Sequence, residues 1–168
     1  MIQARSGDDA GLPEGSRVET REAALGARPF VMLVEDDPAA ADMYQMGLEV
    51  AGFVVMVVGD GSELFKALEL DIPDVVVLDW ELPGLLTGVD IIDNLRLDDR
   101  TAQLPVIMLS NHLGDVDGAE DRALRAGAPW LLKVRTTPAQ LADRLDQVLR
   151  RAVKNSAQPP NPLDPMER

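Results

Sequence analysis

The chain has 168 residues, a formal net charge of −13 and no cysteine. This length suits one domain with a substantial core. The excess of acidic residues argues against nucleic acid or an anionic membrane surface as a direct partner, because both require clustered cations. The lack of cysteine excludes disulfides, thiol catalysis and cysteine metal sites.

No apolar run approaches the roughly 20 residues of a membrane span, and the first residues, MIQARSGDDAG, lack the apolar core of a secretion signal. The sequence therefore predicts a cytoplasmic protein. Residues 1–28 are polar and glycine-rich, and residues 154–168 carry four prolines in a polar stretch. We expect both ends to be disordered tails around one folded domain that spans residues 29–153.

The first third of the domain contains two apolar runs, each followed by a helical pattern. After FVMLV (30–34), Asp37 is predicted to cap a helix that has proline at its first position and ends at Gly52. The second run, FVVMVV (53–58), precedes a short helix predicted over 62–70.

The middle of the domain repeats this alternation. VVVLD (75–79) leads through a loop into a helix predicted over 89–96. VIMLS (106–110) leads into another helix, for which Asp117 and Glu120 predict a capping box. Gly127 is predicted to end that helix, because glycine readily adopts the left-handed conformation of a helix end.

The last strand–helix unit has the clearest pattern. WLLK (130–133) precedes Thr137, Pro138 and Gln140, which predict a capping box with proline at the first helical position. Apolar residues then recur on one helical face. These are Leu141, Leu145, Val148, Leu149 and Ala152.

Five apolar runs that do not alternate with polar residues indicate strands covered on both faces by helices. We therefore predict an α/β fold with a doubly wound, five-stranded parallel sheet, the flavodoxin-like (βα)5 arrangement.

Polar side chains gather where these strands end. Glu35, Asp36 and Asp37 follow the first run, and Asp79 ends the third. Ligands of such sheets bind beyond the carboxyl ends of the strands. Clustered carboxylates suit Mg²⁺, which prefers oxygen ligands, whereas we assign Asp37 to helix capping.

The remaining strand ends supply groups for phosphoryl chemistry. Ser110 and Asn111 follow the fourth run, and Lys133 ends the fifth. A lysine can hold a phosphoryl oxygen as a point charge, and a serine hydroxyl can donate to another. An aspartate carboxylate can itself accept a phosphoryl group as the nucleophile.

Four segments in this order, LVEDDP, VVVLDWELPG, VIMLSN and RAGAPWLLK, resemble the receiver (CheY-like) domain of two-component response regulators. The resemblance covers roughly residues 29–153. It implies Mg²⁺-dependent phosphorylation of one aspartate, in a phosphorelay, by a histidine kinase or a histidine phosphotransfer protein. Such a domain is not an enzyme beyond its own phosphorylation and dephosphorylation.

By position, the resemblance implies that Asp79 is the phosphoacceptor and Asp36 the main metal carboxylate. Glu35 would support the metal through water, and the backbone carbonyl of Glu81 would complete the ligands. Ser110 and Lys133 match the family's hydroxyl residue and lysine. Trp130 matches a switch aromatic, with a plain core tryptophan as the alternative.

Some positions depart from the family's pattern. Val134 replaces the proline that often follows the lysine, so either Lys133 is held differently or the bond between Lys133 and Val134 is a costly non-proline cis bond. The loop PGLLTG is one residue longer than the common pattern, and GAPWLLK is one shorter. Asn111 replaces a small residue and would narrow access to the site.

Glu81 and His112 lie two residues beyond Asp79 and Ser110. Either His112 is an ordinary loop residue, or the pair meets over the site and controls the phosphoryl lifetime by blocking or orienting water.

The leading interpretation is a stand-alone response regulator. Phosphorylation would move Ser110 and Trp130, and would change a surface formed by the last two helices and the fifth strand. That surface would bind a downstream protein or a second copy of the chain as a homodimer.

Two alternatives remain open. One is a degenerate receiver that acts as an interaction module without phosphorylation. The other is an aspartyl-phosphate hydrolase similar to haloacid-dehalogenase-like phosphatases, which would require an aspartate where Glu81 stands.

Overall fold

A computed structural model describes residues 28–112 and 117–156. The strands are β1 (Phe30–Val34), β2 (Val54–Val58), β3 (Val75–Asp79), β4 (Val106–Ser110) and β5 (Trp130–Leu132). The helices are α1 (Pro38–Val50), α2 (Gly61–Leu70), α3 (Gly88–Leu97), α4 (Ala119–Arg125) and α5 (Pro138–Ser156). A short 3-10 helix, Lys133–Arg135, connects β5 to the loop before α5.

The five strands form one parallel sheet in the order β2-β1-β3-β4-β5. This order confirms the predicted doubly wound parallel sheet and places β3 at its centre. Every residue of β1, β3 and β4 is buried, whereas the edge strands β2 and β5 are mostly half-buried. Burial of the inner strands on both faces explains their unbroken apolar runs.

Two apolar cores lie on opposite faces of the sheet. On one face Leu78 and Met108 pack with Leu64 of α2 and Ile91 of α3. On the other face Val77 and Ile107 pack with side chains of α1 and α5. The alternation of side chains along each strand thus supplies both cores.

Most of the predicted helix ends are confirmed. The side chain of Asp37 accepts a hydrogen bond from the backbone N–H of Ala39, and Pro38 begins α1. Gly52, at φ +100°, follows the end of α1. Thr137 and Gln140 exchange the two hydrogen bonds of a capping box at 2.9 and 3.3 Å.

The capping box predicted from Asp117 and Glu120 is wrong. Gly118 precedes α4 in the left-handed conformation, and no side chain caps the helix. Asp117 also has a positive φ of 51°. An N-cap residue is normally extended, so this backbone cannot present the Asp117 carboxylate to the first turn.

The predicted tails lie largely outside the described residues. Helix α5 continues to Ser156, three residues past the predicted boundary at Val153. At the other end, the guanidinium of Arg28 donates hydrogen bonds to the carbonyl oxygens of Gly52 and Phe53 at 2.9 and 2.8 Å. Within the described part of the chain, none of the helices has the length and apolar character to cross a membrane.

Candidate functional site

Asp79 is the last residue of the central strand, and its side chain is buried. The backbone N–H of Glu81 donates to its Oδ1 at 3.2 Å, and Nζ of Lys133 donates to its Oδ2 at 2.8 Å. A Cβ at Gly88 would lie 2.9 Å from the carbonyl oxygen of Asp79. Helix α3 can therefore begin this close to the strand end because residue 88 is glycine.

Glu35 and Asp36 follow β1, the neighbour of β3 in the sheet. Glu35 is buried and Asp36 is exposed. One carboxylate oxygen from each of Glu35, Asp36 and Asp79 lies within 4.8 Å of the others. Three carboxylate oxygens at this spacing fit a hard divalent cation such as Mg²⁺.

Lys133 reaches this acidic cluster from the end of β5. Its Nζ lies 2.6 Å from Oε2 of Glu35 and 2.8 Å from Oδ2 of Asp79, and its side chain is only 10% exposed. The described residues contain no cis peptide bond, and Lys133 instead opens the 3-10 helix. Lys133 is therefore held by a different local backbone, a 3-10 turn, and not by a cis bond to Val134.

The charge states of Asp79, Glu35 and Lys133 depend on one another. Burial raises the pKa of Asp79 and that of Glu35, and the ammonium of Lys133 opposes both shifts. Burial lowers the pKa of Lys133, but its hydrogen bonds to Asp79 and Glu35 outweigh burial, and the net shift is upward. Lys133 is therefore the cation that allows two buried acids to lie side by side.

An open cavity of about 360 Å³ lies beside the cluster. It is lined by Glu35, Asp36, Asp37, Ala40, Met43, Tyr44, Asp79, Glu81, Asn111, Lys133 and Val134. Sequence reasoning missed the three α1 residues, Ala40, Met43 and Tyr44. Their only signal was their spacing of three and four residues, which places them on one helical face.

The loops after β3 and β4 approach each other near this cavity. Oε1 of Glu81 lies 3.7 Å from Nδ1 of His112, so these two residues are close enough for the second of the two alternatives raised for His112. Ser110 is fully buried, and its Oγ accepts a hydrogen bond from the backbone N–H of His112 at 3.0 Å. Asn111, between Ser110 and His112, lines the cavity.

Trp130 lies deeper, against the core on the α3 face of the sheet. Its ring centroid is 5.5 Å from that of Trp80, with the ring planes tilted by 50°. Its Nε1 is buried and finds no hydrogen-bond acceptor among the described residues. Trp130 thus packs as a core residue here, and its role as a switch stays a prediction.

The sequence matches a family model described as the response regulator receiver domain over residues 31–146. It is 35% identical over 125 residues to the phosphate regulon transcriptional regulatory protein PhoB of Rhizobium meliloti, which covers 74% of this chain and 53% of that protein. It is also 35% identical over 124 residues to the DNA-binding response regulator MtrA of Mycolicibacterium smegmatis, covering 74% and 52%. The chain therefore spans about half the length of these curated relatives.

Solved structures of similar fold also belong to response regulators and their receiver domains. A putative response regulator from Chloroflexus aurantiacus is 30% identical, with a TM-score of 0.67 over 74% of this chain and 99% of that one. A CheY-like receiver domain protein from Methanospirillum hungatei is 20% identical and shares the fold, with a TM-score of 0.69 over 77% and 99%. Receiver domains are phosphoryl-accepting signalling modules of two-component systems, and they bind Mg²⁺ at an acidic pocket. The chain belongs to the response regulator receiver family.

Proposed function

We propose that Asp79 accepts a phosphoryl group from a phosphohistidine on a histidine kinase or a histidine phosphotransfer protein. The observation that carries this proposal is the buried Asp79 at the end of the central strand, paired with Lys133 at 2.8 Å beside Glu35 and Asp36. In the transfer, a carboxylate oxygen of Asp79 bonds to phosphorus as the bond from phosphorus to the imidazole nitrogen breaks. The electron pair of that bond returns to the imidazole.

Lys133 and Ser110 would stabilise the phosphoryl oxygens. The ammonium of Lys133 already lies against Asp79 and can shift to a phosphoryl oxygen as a point charge. The Ser110 hydroxyl, at the end of β4 next to Asp79, would donate to another oxygen. Such a reaction depends mainly on positioning and on fixed positive charge.

Asp36, Asp79 and the backbone carbonyl of Glu81 would hold Mg²⁺, and Glu35 would support the metal through water. The exposed Asp36 beside two buried acids supports this assignment, because a cation can enter from the open cavity. When bound, Mg²⁺ supplies positive charge that neutralises the carboxylates and the transferred oxygens. The protein side chains position the acceptor and exclude bulk water.

Glu81, His112 and Asn111 would set how long the phosphoryl group survives. The 3.7 Å approach of Glu81 and His112 and the position of Asn111 in the cavity wall support a restricted path for attacking water. Replacing His112 with Ala would then change the decay rate of the phosphorylated protein. Equal decay rates in His112→Ala and wild type would show that His112 is an ordinary loop residue.

The phosphorylated state would act through the surface formed by α4, β5 and α5. Ser110 moving towards the phosphoryl group, with a rotamer change of Trp130, would alter this surface in a cytoplasmic protein. A downstream protein, or a second copy of the chain in a homodimer, would bind there.

The test is incubation with Mg²⁺ and acetyl phosphate, followed by intact-mass measurement. We expect one added phosphoryl group, which Asp79→Asn abolishes and Asp37→Asn retains, because Asp37 lines the same cavity but caps α1. Absence of the adduct, and of any bound phosphate mimic, would instead support the phosphorylation-independent interaction module. Repeated turnover of a phosphoester would support a hydrolase.

A further inference from the structure

A second cavity, of about 480 Å³, lies at the opposite end of the sheet from Asp79. It is bounded by the end of α3, the segment before β4, the turn before β5 and one side of α5. Leu104, Pro105, Pro129 and Val148 give it an apolar lining. Arg96 and Arg151 are the two charged residues that line it.

Arg96 brings a cation into this cavity without a matching anion. Its Nε donates to the carbonyl oxygen of Ala126 at 3.0 Å, and its Nη1 donates to those of Leu104 and Thr101 at 2.9 and 3.3 Å. These acceptors are neutral, and no carboxylate of the described residues lies within ion-pair distance of it. A half-buried guanidinium remains charged, so the cavity favours an anionic group.

A cavity lined by two arginines and no acid is unusual in a chain with 29 acidic and 16 basic residues. Arg151 is exposed on α5, and Asp98, the nearest acid along the chain from Arg96, is already paired with Arg100 at 2.8 Å. A positive, apolar-lined cavity on an acidic protein therefore fits an occupant that carries both carboxylates and apolar groups.

The chain itself contains such a segment directly after α5. The twelve residues that follow Ser156, AQPPNPLDPMER, include four prolines and Leu163, with two acids, Asp164 and Glu167, against one base, Arg168. Ala152 lines the cavity and lies one helical turn before Ser156, a rise of about 6 Å. An extended proline-rich chain spans about 3.1 Å per residue, so this length is ample to return to the cavity.

We propose that residues 157–168 bind in this cavity in cis. The carboxylates of Asp164 and Glu167 face Arg96 and Arg151, and the prolines and Leu163 cover the apolar lining. Proline restricts the free chain, which lowers the entropy lost on docking. The bound segment would connect the end of α5 to the segment before β4, away from the phosphorylation site, and this proposal does not depend on phosphorylation.

The absence of cysteine allows a sharp test in the full chain. A nitroxide attached to Asn161→Cys should broaden the amide NMR signals of Gln103 and Gly127, which line the cavity. The signal of Gly52, which also lies at the end of the sheet where the strands begin, is the internal control. A freely moving segment remains tethered at Ser156, so its broadening of Gln103 and Gly127 would not depend on the charges of the cavity, and such independence would overturn the proposal.

Charge variants test the recognition itself. Arg151→Gln, Asp164→Asn with Glu167→Gln, or about 1 M NaCl should each reduce the broadening of Gln103 and Gly127 to that of a freely moving, tethered segment. Arg150→Gln is the matched control, because Arg150 is exposed on the same helix and does not line the cavity. Undiminished broadening of Gln103 and Gly127 in Arg151→Gln would contradict the proposal.

Two other occupants would be recognised directly. A nitroxide at Ser6→Cys that broadens Gln103 and Gly127, with none from position 161, would assign the cavity to the N-terminal segment. Broadening that rises with protein concentration would assign it to a second copy. Either result would overturn the proposal.

Discussion

Nζ of Lys133 lies 2.6 Å from Oε2 of Glu35 and 2.8 Å from Oδ2 of Asp79, so this lysine bridges buried carboxylates at the ends of two neighbouring strands. The sequence placed Lys133 at the site but assigned Glu35 only to support of a metal. The observed ion pair gives the lysine a structural role in addition to any role in phosphoryl transfer.

Replacing Lys133 with Met should lower the free energy of unfolding by about 3–5 kcal/mol at pH 7, because it leaves Glu35 and Asp79 buried without a counter-ion. Burial holds the folded pKa of both acids above their unfolded values, and without Lys133 only the backbone N–H groups of Asp37 and Glu81 oppose this shift. The penalty is therefore present above the folded pKa values and decreases as pH falls through them. Urea unfolding followed by circular dichroism at pH 7 and pH 5 measures the difference from wild type.

The control for this prediction is Lys133→Met combined with Glu35→Gln, which removes one of the repelling charges and should recover part of the stability. A wild-type-to-variant difference that does not depend on pH would contradict it.

Replacing Gly47 with Ala should destabilise the fold by about 1–3 kcal/mol, although alanine is the better helix former. A Cβ at Gly47 would fall on Cβ of Pro138, where α1 meets the start of α5. Met46→Ala, on the exposed side of α1, is the control and should change stability by no more than about 0.5 kcal/mol. Thermal unfolding of both variants makes the comparison.

Replacing Gly88 with Ala should slow phosphorylation of Asp79 by acetyl phosphate by about 10- to 100-fold, since small displacements of reacting groups are costly. The added Cβ would meet the carbonyl oxygen of Asp79 at 2.9 Å and Cε of Met108 at 2.6 Å. Gly59→Ala, whose Cβ would meet only Oε2 of Glu63 at 3.5 Å, should react at the wild-type rate. Equal rates in the two variants would show that α3 can move without displacing Asp79.

Replacing Arg96 with Lys should lower the free energy of unfolding by about 1–3 kcal/mol, although the charge is kept. A lysine cannot reproduce the forked donors that reach the carbonyls of Ala126, Leu104 and Thr101. Arg125→Lys, at an exposed position of α4, is the control. Urea unfolding that shows no difference between the two variants would contradict this prediction.

Much of the fold was predictable because each inner strand is buried on both faces and each strand–helix unit repeats the same pattern of an apolar run followed by an amphipathic helix. The meeting of Asp36, Asp79 and Lys133 followed from parallel topology alone, since the carboxyl ends of the strands lie at one edge. The capping box predicted at Asp117 was wrong because that prediction depended on local residue types and not on topology. Residue types predicted it locally, but the left-handed backbone at Asp117 and Gly118 is not encoded in that four-residue motif.

The contribution of α1 to the cavity beside Asp79 could not be predicted from the order of the strand ends. Met43 and Tyr44 have the types and spacing of ordinary helix residues, and only the packed position of α1 brings them to Asp79. Similarly, the guanidinium of Arg96 donates to three carbonyls from two separate segments, a contact that no local pattern contains.

The pairing of Trp80 with Trp130 has an optical consequence. These are the only two tryptophans of the chain, and one directly follows Asp79 while the other lies three residues before Lys133. All indole emission of the protein therefore originates from this pair, which packs against the core on the α3 face of the sheet. Any change at the acidic cluster that moves Trp80 or Trp130 would therefore alter this emission, which can be measured without any added dye.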